Sequence, residues 1–218
     1  MTTVDPVEVA ATEPDPEFDR FDVRRARHAP GILGAFNHAG VLNAADIHVA
    51  TRLAAINGDA SEKVLLAAAL AVRAPRLGHV CTDLSTVRHT VTVDADLPVD
   101  VSSLPWPDPA DWVSDLHASG LVAVGLGGAT DRPLRLVDTL LYLDRYWREE
   151  RQVAAALSSR AGQPAADLDT ETLAEGLERI FGPGPGDGTD LQRRAAMTAL
   201  ARRLAVVAGG PGTGKTTT

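Results

Sequence analysis

Near its carboxyl end the sequence reads Gly209-Gly210-Pro211-Gly212-Thr213-Gly214-Lys215-Thr216, and the apolar run Leu204 to Ala208 stands directly before it. An apolar strand feeding a GxxxxGK[ST] loop constrains the fold more than any other feature of the chain, because the pattern works only where a strand turns into a phosphate cradle. Each residue type has a task there. Gly209, Gly210, Gly212 and Gly214 permit backbone conformations that a side chain would forbid, so that successive amides can point inward at an anion. Lys215 is placed to lie along the outer phosphates as a cation, and Thr216 to offer its hydroxyl to magnesium. Pro211, Thr213 and Thr217 complete the candidate loop. The pattern implies a nucleoside triphosphate and magnesium, with Lys215 and Thr216 as the candidate catalytic residues.

The rest of the chain must supply a core and a context. Its 218 residues are 44% hydrophobic, enough for one large or two small domains. With 21 basic and 29 acidic residues the formal net charge is -8, which argues against a surface that coats polyanions and confines any nucleic-acid contact to a local patch. Cys81 stands alone and cannot form an internal disulfide, which fits a reducing, cytoplasmic setting. Met1 to Asp19 does not resemble a signal peptide, and no run reaches the length needed to span a bilayer, so a membrane role is not expected.

Residues 1–18 are acidic, proline-containing and poor in large apolar groups, the composition of a disordered tail. Residues 19–110 read as a helical domain. Ile32, Leu33 and Phe36, then Ile47, Val49, Leu53 and Ile56, recur at spacings of three and four; Asn43 and Asp46 start the second of these helices and Gly58 ends it. Ser61 opens a third helix, which is expected to stop before Pro75. Asp108-Pro109 starts a further helix, expected to reach Ser119. Residues 111–160 then turn to short apolar strings, Leu121 to Val124, Pro133 to Val137 and Leu140 to Leu143, read as strands with a tight hairpin, followed by a helix over Arg145 to Ser159. Residues 161–189 read as a linker containing a short helix, Thr170 to Ile180, and the loop Gly182 to Gly188. Residues 190–218, a helix from Leu191 to about Arg203 followed by the apolar run and the glycine loop, are expected to begin a P-loop domain.

The strings flanking the loop narrow the choice. VVAGGPGTGKTTT with LQRRAAMTAL upstream, and further back LYLDRYWREE, LHASGLV and GHVCTDL, resemble superfamily 1 DNA helicases of the RecD type, the alpha-subunit family of exodeoxyribonuclease V. The resemblance implies a mixed fold: a helical amino-terminal domain that binds a partner, then the start of an α/β, RecA-like motor ending here just after the Walker A loop. It implies ATP with magnesium, beta and gamma partner subunits, single-stranded DNA handled by the full-length motor, and five-prime to three-prime movement. The chain is read as an amino-terminal fragment, expected to be inactive alone. The nuclease is expected in a partner subunit. By itself Gln192 reads as a solvated helix-surface residue; the resemblance makes it the adenine reader, whose carboxamide offers a donor beside an acceptor. An AAA-type ATPase shares the loop but would lack Gln192 and the LYLDRYWREE segment, and a pure interaction module over residues 20–110 is the other alternative.

Other conspicuous groups carry less. Tyr142, Tyr146 and Trp147 could stack on bases but at this spacing read as core. Arg193, Arg194, Arg202 and Arg203 stay unassigned between DNA phosphates and a wet helix face. Arg24, Arg25, Arg27 and His28 read as a solvated linker or partner contact. Cys81 with His79 is too small a set for a metal site, and His38, His48, His89 and His117 show no motif spacing. Glu149 and Glu150 are adjacent on a helix and do not face one another.

Overall fold

Three helices with alanine- and leucine-rich faces begin the fold of the computed structural model, which describes residues 22–58, 61–93, 100–165, 168–183, 190–213 and 215. α1 (Ile32–His38) buries Leu33 and Phe36. α2 (Ala44–Asn57) starts as its sequence predicts: the Asn43 amide donates to the Asp46 carboxylate at 2.8 Å, and Gly58 closes the helix in the left-handed region at φ 77. Its apolar face is narrower than the spacing predicts, because Ile47, Ala50 and Ala54 are buried whereas Val49 and Ile56 face solvent.

α3 (Glu62–Arg76) is the central helix. Val64 through Ala71 are all buried, so it is surrounded on every side. It runs through Pro75 instead of stopping before it. Buried Ala74 and an ion pair from Arg76 to Asp46 at 2.7 Å hold the last turn against the one helical hydrogen bond that Pro75 cannot donate.

The strands assemble beside these helices. β1 (Cys81–Asp83), β2 (Val122–Val124), β3 (Leu134–Val137) and β4 (Leu140–Leu143) form a sheet in the order β1-β4-β3-β2. β3 and β4 make the expected tight hairpin, whose turn residue Asp138 takes φ 53. β1 was not foreseen; it pairs antiparallel with β4, Cys81 opposite Tyr142. Two short elements were also missed, α4 (Val87–Thr90) and a single 3₁₀ turn at Val101–Ser103. β2 and β3 are parallel although only residues 125–133 link them, where such crossovers ordinarily need about a dozen residues or more.

A buried arginine holds that short connection. Arg135, on β3, is 1% exposed, and its guanidinium reaches Asp144 at 2.8 Å and the carbonyls of Gly125 and Ala129 at 2.9 Å each. It also lies 4.2 Å from the centre of the Trp147 ring.

α5 (Pro109–Ala118) is capped by Asp108, whose carboxylate accepts from the amides of Ala110 and Asp111, with Pro109 in the first turn. Trp112 and Leu116 from this helix enter the same core as Phe36, Leu66 and Leu136. Complete burial of a side chain as large as Trp112 contributes on the order of 3 kcal/mol, and its indole N–H donates to the Lys63 carbonyl at 2.8 Å. The domain boundary expected near residue 110 is therefore absent. The chain instead divides into one compact unit up to Trp147 and a second from Arg148 onward. Residues 111–147, expected to lead into another domain, belong to the first unit because their apolar side chains complete its core.

α6 (Asp144–Ala161) follows the strands. In the second unit α7 (Thr170–Phe181) and α8 (Leu191–Ala201) appear close to their expected bounds. The strand expected at Leu204 to Ala208 does not form. An apolar run becomes a strand only when a neighbour accepts its ladder, and here residues 204–208 have none among the described residues, leaving Val206 84% exposed. The pairing that does exist lies just upstream, where Pro164 bridges Arg202 and the Ala165 amide donates to the Ala201 carbonyl at 3.0 Å. The expected tail, residues 1–18, and most of the loop Gly182 to Gly188 lie outside the described residues. Among the described residues no helix is long and apolar enough to cross a membrane.

Candidate functional site

The second unit folds the glycine loop back toward α8. Asp190 caps this helix, its carboxylate accepting from the Arg193 amide at 3.0 Å, and the Arg193 guanidinium donates to the Gly182 carbonyl at 2.9 Å. These two contacts fix the first turn, so Gln192, Ala195 and Thr198 share one side of the helix. Opposite them run residues 205–209. Together they enclose a cleft of about 390 Å³ whose wall includes Gln192, Arg194, Val206, Gly209, Thr213 and Lys215. That volume falls within the roughly 300–1,000 Å³ of small-molecule sites. Gln192 and Lys215, distant in sequence and expected at opposite ends of one nucleotide, line the same concavity.

Within the loop the backbone is tight. Gly212 takes φ 77, which an L side chain rarely adopts. A Cβ on Gly209 would stand 2.7 Å from the Thr213 hydroxyl oxygen, so any larger residue would make the Thr213 side chain turn away. Thr213 Oγ1 donates to the Gly210 carbonyl at 2.8 Å and cross-braces the turn. The Lys215 ammonium donates to the carbonyls of Gly209 and Gly210, both at 2.6 Å. Its charge thus rests against the loop's own carbonyl dipoles, and an anion entering the loop must draw it away from them. Pro211 lies in the same exposed turn. Gly214, Thr216 and Thr217, and with Thr216 the expected magnesium contact, lie outside the described residues. Among the described residues no group of three or more His, Cys, Asp and Glu is placed to hold a metal ion.

The remaining candidates fall into structural places. Tyr142 is 7% exposed within the sheet, and Trp147 lies under the Arg135 guanidinium, so neither is a bare stacking surface. Arg194 lines the cleft, while Arg202 and Arg203 sit at the bridge to residues 163–164, where the Arg203 amide donates to the Gln163 carbonyl at 3.3 Å. The basic cluster near the start is not a loose linker. Arg24 pairs with Asp22 at 3.0 Å, and Arg25 donates to the carbonyls of Asn37 and His38 at the negative end of α1. The Arg24 hydrogen bonds hold the Asp22 carboxyl below its ordinary value. Arg135 has no local signature in the sequence, where an arginine inside a strand pattern reads as a solvent-facing residue.

Comparison with known proteins gives these places a family. Residues 38–142 match the family described as "RecBCD enzyme subunit RecD, N-terminal domain". The chain is 46% identical over 201 residues to the RecBCD enzyme subunit RecD of two strains of Mycobacterium tuberculosis, covering 90% of this chain and 30% of the relative. It is 44% identical over 191 residues to the RecBCD enzyme subunit RecD of Mycolicibacterium smegmatis, covering 86% of this chain and 29% of the relative. The chain spans about 30% of the length of these curated relatives.

Proposed function

Because the chain belongs to the RecD family, we propose that the protein it represents is an ATP-hydrolysing DNA helicase subunit. It acts in an exodeoxyribonuclease V-like complex for recombination and double-strand-break repair. One observation carries the reading: Gln192 and Lys215 line one cleft. Adenine enters at the α8 end, where the Gln192 carboxamide offers a donor and an acceptor to its edge. The phosphates reach the loop, where the amides of Gly209, Gly210 and Gly212 surround them and Lys215 exchanges its carbonyl partners for phosphate oxygens. Thr216 would hold magnesium, with Gly214 and Thr217 completing the loop, and magnesium there would supply charge neutralisation for the outer phosphates. Residues 190–218 in this reading begin a RecA-like motor domain that moves five-prime to three-prime on single-stranded DNA.

Residues 19–110 lie within a unit that has its own core, and we assign them to docking on the beta and gamma partner subunits. Within residues 19–110 ten acidic residues offset nine basic ones, so the region has no excess of cations to reward DNA over protein as its contact. Lys215→Ala in the full-length protein tests the motor assignment. ATP hydrolysis should fall by at least about a hundredfold, the scale on which one preorganised charge-stabilising group acts, while the circular dichroism spectrum stays unchanged. A folded variant with wild-type turnover would remove Lys215 from the catalytic assignment.

A further inference from the structure

Away from the α8 cleft, the first unit holds a second concavity, of about 240 Å³, where the last turn of α3 faces the start of α2. Its wall includes Gly40, Asn43, Arg73, Arg76, Leu77 and Val93. Two guanidinium groups one helical turn apart occupy this space, and they are not equally compensated. Arg76 pairs with Asp46 at 2.7 Å, and that carboxylate also accepts the Asn43 amide at 2.8 Å. Arg73 donates to the Thr92 carbonyl and forms an ion pair with no carboxylate among the described residues. Among the described residues, two cations therefore share one carboxylate. Burial first, and then the charge of Arg76, lowers the pKa of Arg73, with Asp46 acting the other way.

We infer that the pocket formed by Arg73 and Arg76 docks a carboxylate side chain, flanked by an aliphatic residue, from a partner protein. The flat carboxylate matches the planar fork of an arginine, which can hold both oxygens at once. Val41, Leu77 and Val93 supply an apolar wall beside the two charges, and Leu77 is 38% exposed, so an aliphatic neighbour gains burial there. A nucleic-acid backbone is a poorer match. It rewards a track of several cations, whereas among the described residues this pocket carries two cations beside one carboxylate. The inference rests on the proposed partner-docking role of residues 19–110 and adds to it the chemistry of one contact.

The test uses the whole 218-residue chain and the capped peptide Ala-Leu-Glu-Leu-Ala, followed by NMR of the arginine Nε–Hε groups and backbone amides. The peptide is expected to shift Arg73, Arg76 and Gly40. Its Ala-Leu-Gln-Leu-Ala counterpart should bind at least about tenfold more weakly, as loss of a charge-assisted hydrogen bond requires. Arg73→Gln should abolish the shifts, whereas Arg52→Gln, on the exposed side of α2, should leave them. Equal binding of the two peptides, shifts that survive Arg73→Gln, or a thymidine oligonucleotide that moves the same signals at lower concentration would each overturn the inference. If Arg73→Gln fails to fold, Arg73→Lys keeps the charge but loses the fork. It should weaken the Glu peptide severalfold, and unchanged binding would contradict the inference. Assembly of the wild-type protein with its beta and gamma partners, scored separately, distinguishes the two levels. Intact assembly without peptide binding sinks the pocket alone, and failed assembly sinks the docking role.

Discussion

Arg135 sits among groups that each answer one of its donors: Asp144, the carbonyls of Gly125 and Ala129, and the face of Trp147. A buried ion pair contributes little by comparison with apolar packing of the same volume, yet removing one partner strands the other charge in a low-dielectric interior. Either Arg135→Ala or Asp144→Ala should therefore cost about 3–5 kcal/mol in a urea titration. The double change Arg135→Ala with Asp144→Ala should cost much less than the sum of the single changes. A purely additive outcome would show that the pair is not coupled. Residue-scale legibility follows the same physics. Asn43, Asp46, Asp108 and Gly58 act on backbone groups next to them in sequence, so their roles can be read from neighbours. Arg135 acts on a loop and a helix brought to it only by the sheet, and no local pattern records that.

α7 shows how a single cap sets the start of an element. The Asp169 carboxylate accepts from the Thr172 hydroxyl at 2.6 Å and from the amides of Glu171 and Thr172, and these bonds, the hydroxyl first, hold its pKa below the ordinary 3.8. A depressed carboxyl stabilises the structure above its unfolded pKa, and the contribution is lost as pH falls through the folded value. The amide shifts of Glu171 and Thr172 should accordingly stay native through pH 4 and move only in more acidic solution, below the ordinary 3.8. Movement centred above pH 4 would contradict the cap. Helices were legible because their periodicity and caps lie within one stretch of chain. Strands were legible only when long enough to alternate or joined by a tight turn, as in β3 and β4. β1 spans three residues and depends on β4 from far along the chain. The run Leu204 to Ala208 failed in the opposite direction, for it has strand composition without a ladder partner among the described residues.

The whole chain behaves as two units of unequal solidity. Up to Trp147 one continuous core links α1, α3, α5 and the sheet, whereas among the described residues from Arg148 onward Leu177 is the one buried hydrophobic side chain. Native-state hydrogen exchange should then show the amides of α3, β3 and β4 sharing one high opening free energy, with no separate opening near residue 110. Those of α7 and α8 should exchange through smaller, cheaper fluctuations. A distinct step dividing residues 22–110 from 111–147 would restore the boundary that the sequence suggested. The weakly buried second unit carries the loop and the base-reading residue, so the proposed function depends on whether its cleft joins them in one site. The direct measurement is nucleotide affinity of the full-length protein carrying Gln192→Ala, with ATP and GTP titrated in magnesium. Loss of a matched pair of base contacts should weaken ATP by about 1–3 kcal/mol and leave GTP nearly unchanged. Equal weakening of both nucleotides, or of neither, would contradict a cleft in which Gln192 reads the base while Lys215 holds the phosphates.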